Sequence, residues 1–295
     1  MARKWFLDIP EEFTRLEKSQ IVVLPIAYDG TASYLKGTAN APQAIIDASY
    51  QAEAFDEELH AGFYECGIAT APMIDGRDKS PEEVQSLIYA QAAAHFRGGK
   101  KLFSLGGEHS ISTALIKAAA ARYANLSVLH IDAHADLRDE YEGSRYSHAC
   151  VMRRVHELGV PFVSVGIRSF EEQQLKFIKA NSIPVYGPAC IEQDKDWVRK
   201  VVEHLTDEVY ITFDIDGLDP SVAPGTGTPE PGGLTYRQAA GLIMAAGRAK
   251  NIIGGDMVEV VPAICGVVTE FTAARLVYKM IVACRLRQRW ESPAV

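Results

Sequence analysis

The sequence predicts an α/β fold in which helices cover both faces of a parallel sheet. Short, almost wholly apolar runs such as IVVLPIA, LFSL, SVLHI and VYITF recur along the chain, and runs of this kind are strands buried on both sides. They alternate with stretches of helical periodicity, as successive strand-helix units require. Clusters of Asp, His and Glu follow several of the runs, where open parallel sheets bind their ligands.

In chain order, QIVVLPIAYDG (20–30) closes on Asp-Gly and reads as the first strand. After the loop TASYLKGTANAP comes a helix over PQAIIDASYQAEAF, with Pro42 in its first turn. The next helix, PEEVQSLIYAQAAAHFRGG, has Ser80 as cap, Pro81 and two glutamates in its first turn, and glycine after its end. Strand KKLFSLGG then leads into a helix from about Ser110 through ISTALIKAAAARYA. Strand LSVLHID, helix HACVMRRVHELG, strand PFVSVGIRS, helix EEQQLKFIKAN, short strand IPVYG and helix DKDWVRKVVEHL continue the alternation. Strand EVYITFDID, a Gly- and Pro-rich loop, helix TYRQAAGLIMAAGRA, strand NIIGGDMVEV and helix TEFTAARLVYKMIVACRLRQ complete it. Seven strands are read in this way, with no repeat or linker, so one domain over residues 1–295 is expected.

At 295 residues, 47% hydrophobic and 23% charged, the chain has material for a sizeable core. Its formal charge of −8 argues against a nucleic-acid partner and suits a small cationic ligand. The five cysteines (Cys66, Cys150, Cys190, Cys265, Cys284) are odd in number, scattered and never in a CxxC pair, which argues against a disulfide framework and a zinc finger. MARKWFLDIPEEF has only a three-residue apolar run before Asp8, so no signal peptide is expected. No apolar stretch approaches the roughly 18 residues of a membrane span. A cytoplasmic protein without a membrane partner is the expectation.

The chemistry centres on LHIDAHADLRD. Alternate residues of an extended strand face one side, so Asp132, His134 and Asp136 form a comb of metal-ligand types. Alone, such a comb also describes a solvated loop. Three further clusters end apolar runs: GGEHS with His109, DIDGLDP with Asp214 and Asp216, and Glu259 near the end of IIGGDMVEV. Taken singly, His109 reads equally as a helix cap and Asp214 or Asp219 as a turn residue. His130 lies inside its strand and reads as a core histidine or one behind the ligands. Six candidate donors (His109, Asp132, His134, Asp136, Asp214, Asp216) exceed what one catalytic zinc uses. They suit two divalent ions sharing carboxylates about 3.5–4 Å apart, and carboxylate-rich ligation favours a hard ion such as manganese.

GGEHS, DAHAD, SHA, DIDGLDPSVAPGTGTPEPGG and MVEVVP, in this order and spacing, resemble the ureohydrolase family, which includes the arginases and agmatinases. The likeness runs from YDGTASYLKGTANAP to the closing TAARL helix. It implies a three-layer α/β/α sandwich with a mostly parallel, about eight-stranded sheet and a binuclear centre of two Mn2+ per subunit. The implied metal ligands are the same six residues. His148 of SHA matches the family's proton-handling residue, and Glu259 the carboxylate that holds the guanidinium. Asp136 is the candidate to pass a proton to the departing amine. A homotrimer or homohexamer is expected on the same resemblance.

Charge counting agrees. Four aspartates offset two divalent ions, and a hydroxide leaves a shell that tolerates a guanidinium, which Glu259 then orients. The loop LRDEYEGSRYSHA lacks the asparagine with which arginases hold an α-amino acid, so it looks like the agmatinase branch. Agmatine, giving putrescine and urea, is the first expectation. N1-aminopropylagmatine, giving spermidine, follows it, with arginine and guanidinobutyrate as further guanidino substrates. Asp139, Glu140 and Glu142 read equally as a mouth that attracts the distal ammonium and as a solvated acidic loop. Two segments depart from the pattern: KGTANAPQAI lacks the arginines common in that branch, and Cys265 replaces an aspartate. A binuclear phosphohydrolase would require basic groups or a glycine nest for phosphate, but residues 225–233 carry Glu230 and no lysine. A scaffold without catalysis would have lost ligands, and none is lost.

Overall fold

The computed structural model describes residues 4–291, with side chains described to residue 287; residues 1–3 and 292–295, the ends of the expected 1–295 domain, lie outside the described residues. The strands are β1 (Ile21–Ala27), β2 (Ile68–Thr70), β3 (Ile74–Asp75), β4 (Lys101–Leu105), β5 (Leu126–Ile131), β6 (Phe162–Val165), β7 (Val185–Tyr186), β8 (Glu208–Asp214) and β9 (Asn251–Val258). The helices are α1 (Ala41–Ser49), α2 (Pro81–Arg97), α3 (Ile111–Ala120), α4 (Val151–Glu157), α5 (Glu172–Ala180), α6 (Pro188–Gln193), α7 (Trp197–Glu203), α8 (Tyr236–Ala249) and α9 (Val268–Glu291).

The nine strands form one sheet in the order β2-β1-β4-β9-β8-β5-β6-β7, with β3 also on β1, and every pairing is parallel. β2 and β3 are the strands missing from the sequence reading. At three and two residues they are too short to show a period. Helix α6, opened by Pro188, was also missed, and α1 stops at Ser49, short of the predicted Phe55.

Alternation along the strands sends side chains into two separate cores. Ile21, Val23, Phe103, Leu129 and Ile131 pack with Ile45, Leu242, Ile243, Leu276 and Val277 of α1, α8 and α9. Val22, Leu24, Ile26, Leu102 and Val128 pack with Ile88, Phe96, Leu115, Met152 and Val155 of α2, α3 and α4. The result is a three-layer α/β/α sandwich, each buried aliphatic side chain contributing about 1.5–3 kcal/mol. The cap on α2 is as predicted: Ser80 accepts from the Glu83 N–H at 3.4 Å, and Glu83 accepts from the Ser80 N–H at 2.9 Å.

The last strand, β9, enters the middle of the sheet between β4 and β8. Gly254 and Gly255 make this possible, since a Cβ on them would lie 2.3 Å from the Leu102 carbonyl and 2.6 Å from that of Ile211. The four central strands are thereby β4, β9, β8 and β5, the four whose ends carry the polar clusters. Among the described residues no helix is long and apolar enough to cross a membrane.

Candidate metal centre

The sheet brings all seven predicted site residues at its carboxyl edge together. His109 follows β4, Glu259 follows β9, Asp214 ends β8 with Asp216 two residues on, and Asp132, His134 and Asp136 follow β5. Asp132, Asp214, Asp216, Asp136 and His109 are all at most 5% exposed, which marks them as structural cargo or ligands rather than a solvated loop. Asp136 (φ 49°) and Glu259 (φ 62°) take left-handed backbone conformations. Such strain persists only where the surroundings hold it. The Met152 and Arg153 N–H groups both donate to the Asp136 carbonyl, at 2.9 and 3.2 Å, and the Glu259 N–H donates to the Gly107 carbonyl at 2.8 Å. Gly107 itself has no room for a side chain, because a Cβ would stand 1.8 Å from the Tyr28 carbonyl.

Two groups of ligand atoms form, sharing a corner. His109 Nδ1 lies 3.1 Å from Asp132 Oδ2, 3.1 Å from Asp136 Oδ2 and 3.4 Å from Asp214 Oδ2. His134 Nδ1 lies 3.0 Å from Asp216 Oδ2 and 3.7 Å from Asp132 Oδ1. Asp132, His134 and Asp216 could hold one ion, and Asp132 with His109 borders a second. His109 Nδ1 is buried and has carboxylate oxygens nearby without hydrogen-bond geometry to any of them. An orphaned imidazole nitrogen facing three carboxylates fits a divalent cation with nitrogen and oxygen ligands.

The second oxygens are engaged by the protein, which fixes the carboxylates. Asp132 Oδ1 accepts from the His134 N–H (2.6 Å), Asp214 Oδ1 from the Asp216 N–H (2.9 Å) and Asp216 Oδ1 from the Ala133 N–H (3.0 Å). His130, buried in β5, sits between Asp132 Oδ2 and Ser164 Oγ at 2.9 Å each, so both its ring nitrogens are occupied behind the ligands. His109 does not cap α3. Asp219, by contrast, is the turn residue: it accepts from the Ser221 and Gly232 N–H groups at 3.0 and 2.8 Å.

The cluster carries more negative charge than its protein surroundings balance. Burial, then the charges of Asp216 and Asp132, push the Asp214 carboxyl well above its ordinary range, and burial, then Asp132, raises Asp216. Burial and the neighbouring Glu108 push Glu259 up to about 8. Burial disfavours charge on His134, yet Asp132 and Asp216 raise it to about 12. Asp132 is instead held well below its usual range, because the three imidazoles around it, those of His109, His130 and His134, outweigh its burial. No Lys or Arg among the described residues pairs with any of the four aspartates or Glu259. Mutual perturbation of this kind marks a place for external cations.

A cleft of about 320 Å3 opens above the cluster, with His109, His134, Asp136, Asp214, Asp216 and Glu259 on its floor. Tyr34, Arg138, Tyr141, His148, Phe170 and Glu171 are among the residues of its wall and mouth. His148 Nε2 is 3.3 Å from Ser33 Oγ, its ring meets that of Tyr141 edge-on, and its backbone N–H donates to Thr31 Oγ1 at 3.1 Å. Of the two readings of Asp139, Glu140 and Glu142, the structure favours the solvated loop: none of the three lines the cleft. Asp139 turns outward to Arg154 (2.6 Å) and Arg145 (3.3 Å). Tyr141 and Ser144 pair as a tight hairpin whose turn, Glu142 (φ 48°) and Gly143 (φ 81°), points Glu142 into solvent. Glu171 stands at the mouth instead, paired with Arg138 at 2.7 Å.

Sequence reasoning passed over Arg168, Thr212 and Asp256. Arg168 ties the Asp216 loop to the Gly- and Pro-rich loop by donating to the carbonyls of Asp216 (2.7 Å) and Glu230 (2.6 Å). The available signals were a threonine in phase with Asp214 and an aspartate inside an apolar strand.

A parallel sheet with this carboxylate and histidine cluster at its carboxyl edge has the make-up of a metal-dependent hydrolase. The sequence model of the Arginase family matches residues 19–283, and the chain belongs to that family. It is 36% identical to the N(1)-aminopropylagmatine ureohydrolase of Synechocystis sp. over 94% of this chain and 93% of that one. It is 35% identical to the agmatinase of Bacillus anthracis, over 83% and 85%. The crystal structure of the agmatine ureohydrolase of Thermoplasma volcanium superposes with a TM-score of 0.85 at 29% identity, over 94% and 93% of the chains. The protein is thus an enzyme, a ureohydrolase acting on linear amidines.

Proposed function

We propose that His109, Asp132, His134, Asp136, Asp214 and Asp216 hold two Mn2+ ions and that the enzyme releases urea from an aminoalkyl guanidine. The observation that carries this is the unbalanced, buried cluster of carboxylates and imidazoles at the floor of a cleft that also holds Glu259. When bound, the ions supply Lewis acidity and bring the pKa of a water molecule near neutrality.

The remaining work falls to the chain's own groups. Glu259 Oε1 is taken by the His109 N–H at 2.7 Å, which leaves Oε2 toward the cleft beside Gly227. That oxygen receives the guanidinium through charge-assisted hydrogen bonds and turns its carbon toward the cluster. Asp136, whose strained backbone aims its carboxylate at the same point, holds the proton that the departing amine needs. His148, at the cleft wall, passes protons between that point and solvent.

N1-aminopropylagmatine is the substrate we favour. Beyond Glu259 the mouth exposes Tyr34, Leu35 and Phe170, apolar walls that suit a long methylene chain, and the Synechocystis relative carries that name. Agmatine is the second reading, supported by the Bacillus relative. Glu171 replaces Asp139, Glu140 and Glu142 as the group that meets the distal ammonium. Urea release by manganese-loaded protein across aminopropylagmatine, agmatine, arginine and guanidinobutyrate tests this: kcat/KM should be highest for one of the first two, and arginine as best substrate overturns it. A homotrimer or homohexamer is proposed on family resemblance, checked by sedimentation.

A further inference from the structure

Beneath His109 the sheet buries three polar groups that no substrate can reach. Thr212 lies two residues before Asp214 on β8, Asp256 is its register partner on β9, and Tyr210 is two residues further down β8. All three are 0% exposed. His109 Nε2 is 2.9 Å from Thr212 Oγ1, Thr212 Oγ1 donates to Asp256 Oδ1 at 2.8 Å, and Tyr210 OH donates to Asp256 Oδ2 at 2.9 Å.

The polarity of this row is set at its far end. A carboxylate only accepts, and a hydroxyl has one proton to give. Asp256 takes the protons of both Thr212 and Tyr210, so Thr212 has only a lone pair left for the histidine. Nε2 of His109 must then be the ring nitrogen that carries hydrogen. Its Nδ1 is left with a lone pair directed at the oxygens of Asp132, Asp136 and Asp214, where it has no hydrogen-bond partner. The reverse polarity would place a proton on Nδ1, where an ion must bind.

We propose that Thr212 and Asp256, backed by Tyr210, are positioning residues that select the tautomer of His109 able to bind metal through Nδ1 and hold its ring in place. The proposal rests on the reading of His109 as a ligand. Partners of this kind behind a metal-bound histidine contribute about 10–100-fold in metal affinity. A histidine held by Thr212 therefore differs from the one at position 134, whose Nε2 has only Glu230 at 3.9 Å.

The test is manganese binding at fixed pH, read as free Mn2+ by electron paramagnetic resonance, in Thr212→Val, Thr212→Ser, Asp256→Asn and His109→Asn, with melting of the metal-free proteins measured alongside. Thr212→Val should weaken one of the two ions by about 10–100-fold, Thr212→Ser should restore binding to within about threefold, and Asp256→Asn should fall between them. In zinc-loaded protein with 15N-labelled histidine, His109 should show hydrogen on Nε2. Wild-type affinity in Thr212→Val, or loss in Thr212→Ser equal to that in Thr212→Val, overturns the proposal, as does hydrogen on Nδ1. If Thr212→Val does not fold, wild-type affinity in folded Asp256→Asn overturns it equally. His109→Asn separates the two levels: loss of one ion there with Thr212→Val unaffected refutes the relay alone, whereas both ions bound at wild-type affinity refute the ligand assignment beneath it.

Discussion

Two buried charged groups in this molecule have opposite accounts. In the middle of α9, Lys279 (1% exposed) donates to Asp56 at 2.7 Å and stands 3.1 Å from Glu57, while Asp56 also accepts from the Glu58 and Leu59 N–H groups at 3.1 and 2.9 Å. Every charge there has a protein partner. At the carboxyl edge of the sheet, four aspartates and Glu259 crowd together with histidines alone between them. A balanced buried pair serves the fold, and an unbalanced one waits for something from outside. The difference between the two is visible in their partners, not in their burial.

The comparison can be broken at several points, the largest effect first. Asp132→Ala removes the corner shared by the two ligand groups, so metal content should drop and urea release fall by more than about a thousandfold; full activity in metal-depleted protein would refute the metal reading. Lys279→Met leaves Asp56 buried and unpaired, and denaturant titration should show a loss of about 3–5 kcal/mol. Activity per folded molecule should be unchanged, and a change in metal content would show that the two regions are not independent.

Glu259→Gln should keep both ions and weaken guanidinium binding by about 10–100-fold, or about 1.5–3 kcal/mol, read as a rise in KM. The same substitution probes the charge imbalance itself. Burial raises the Glu259 carboxyl from 4.5 to about 8, so folding disfavours its charged form. The metal-free protein should therefore hold this contribution in full below pH 4.5 and lose it progressively as the pH rises toward 8. Metal-free Glu259→Gln should melt higher than wild type at pH 8, and an equal or lower melting temperature contradicts the sign. The smallest effect belongs to Glu140→Gln and Glu142→Gln, which face solvent and should change KM by less than about twofold. A larger change would return the acidic hairpin to the substrate.

The comb of Asp132, His134 and Asp136 was legible from its D-x-H-x-D spacing after an apolar run, although the structure places its members just beyond β5, with Asp136 in a left-handed backbone conformation, so the loop and not strand alternation gathers them. Asp214 and Asp216 were legible from the same i, i+2 spacing, although Asp216 lies in a 3-10 turn (Ile215–Gly217) that follows the strand, and the run of apolar residues before each cluster pointed to a parallel, doubly covered sheet. The sequence leaves the acidic hairpin open between substrate and solvent because charge is visible in a sequence while its direction is not: Glu142 and Gly143 turn the chain outward, and Arg145 and Arg154, further along, draw Asp139 away. Thr212 and Asp256 escaped notice because their meaning lies in a register between β8 and β9, strands separated by a loop and a helix. Strands β2 and β3 were invisible for want of length, their pairing with β1 being a matter of tertiary contact rather than local preference.

The insertion of β9 between β4 and β8 bears on when the protein becomes an enzyme during its own synthesis. Until residues 251–258 have left the ribosome, β4 and β8 have no common neighbour, their inner edges stay unpaired, and the two halves of the cluster belong to separate parts of the chain. Long-range parallel pairings of this kind form late and slowly. Metal capture is therefore expected to coincide with closure of the sheet, so that a nascent or truncated chain carries the candidate ligand motifs of the first half without a working centre.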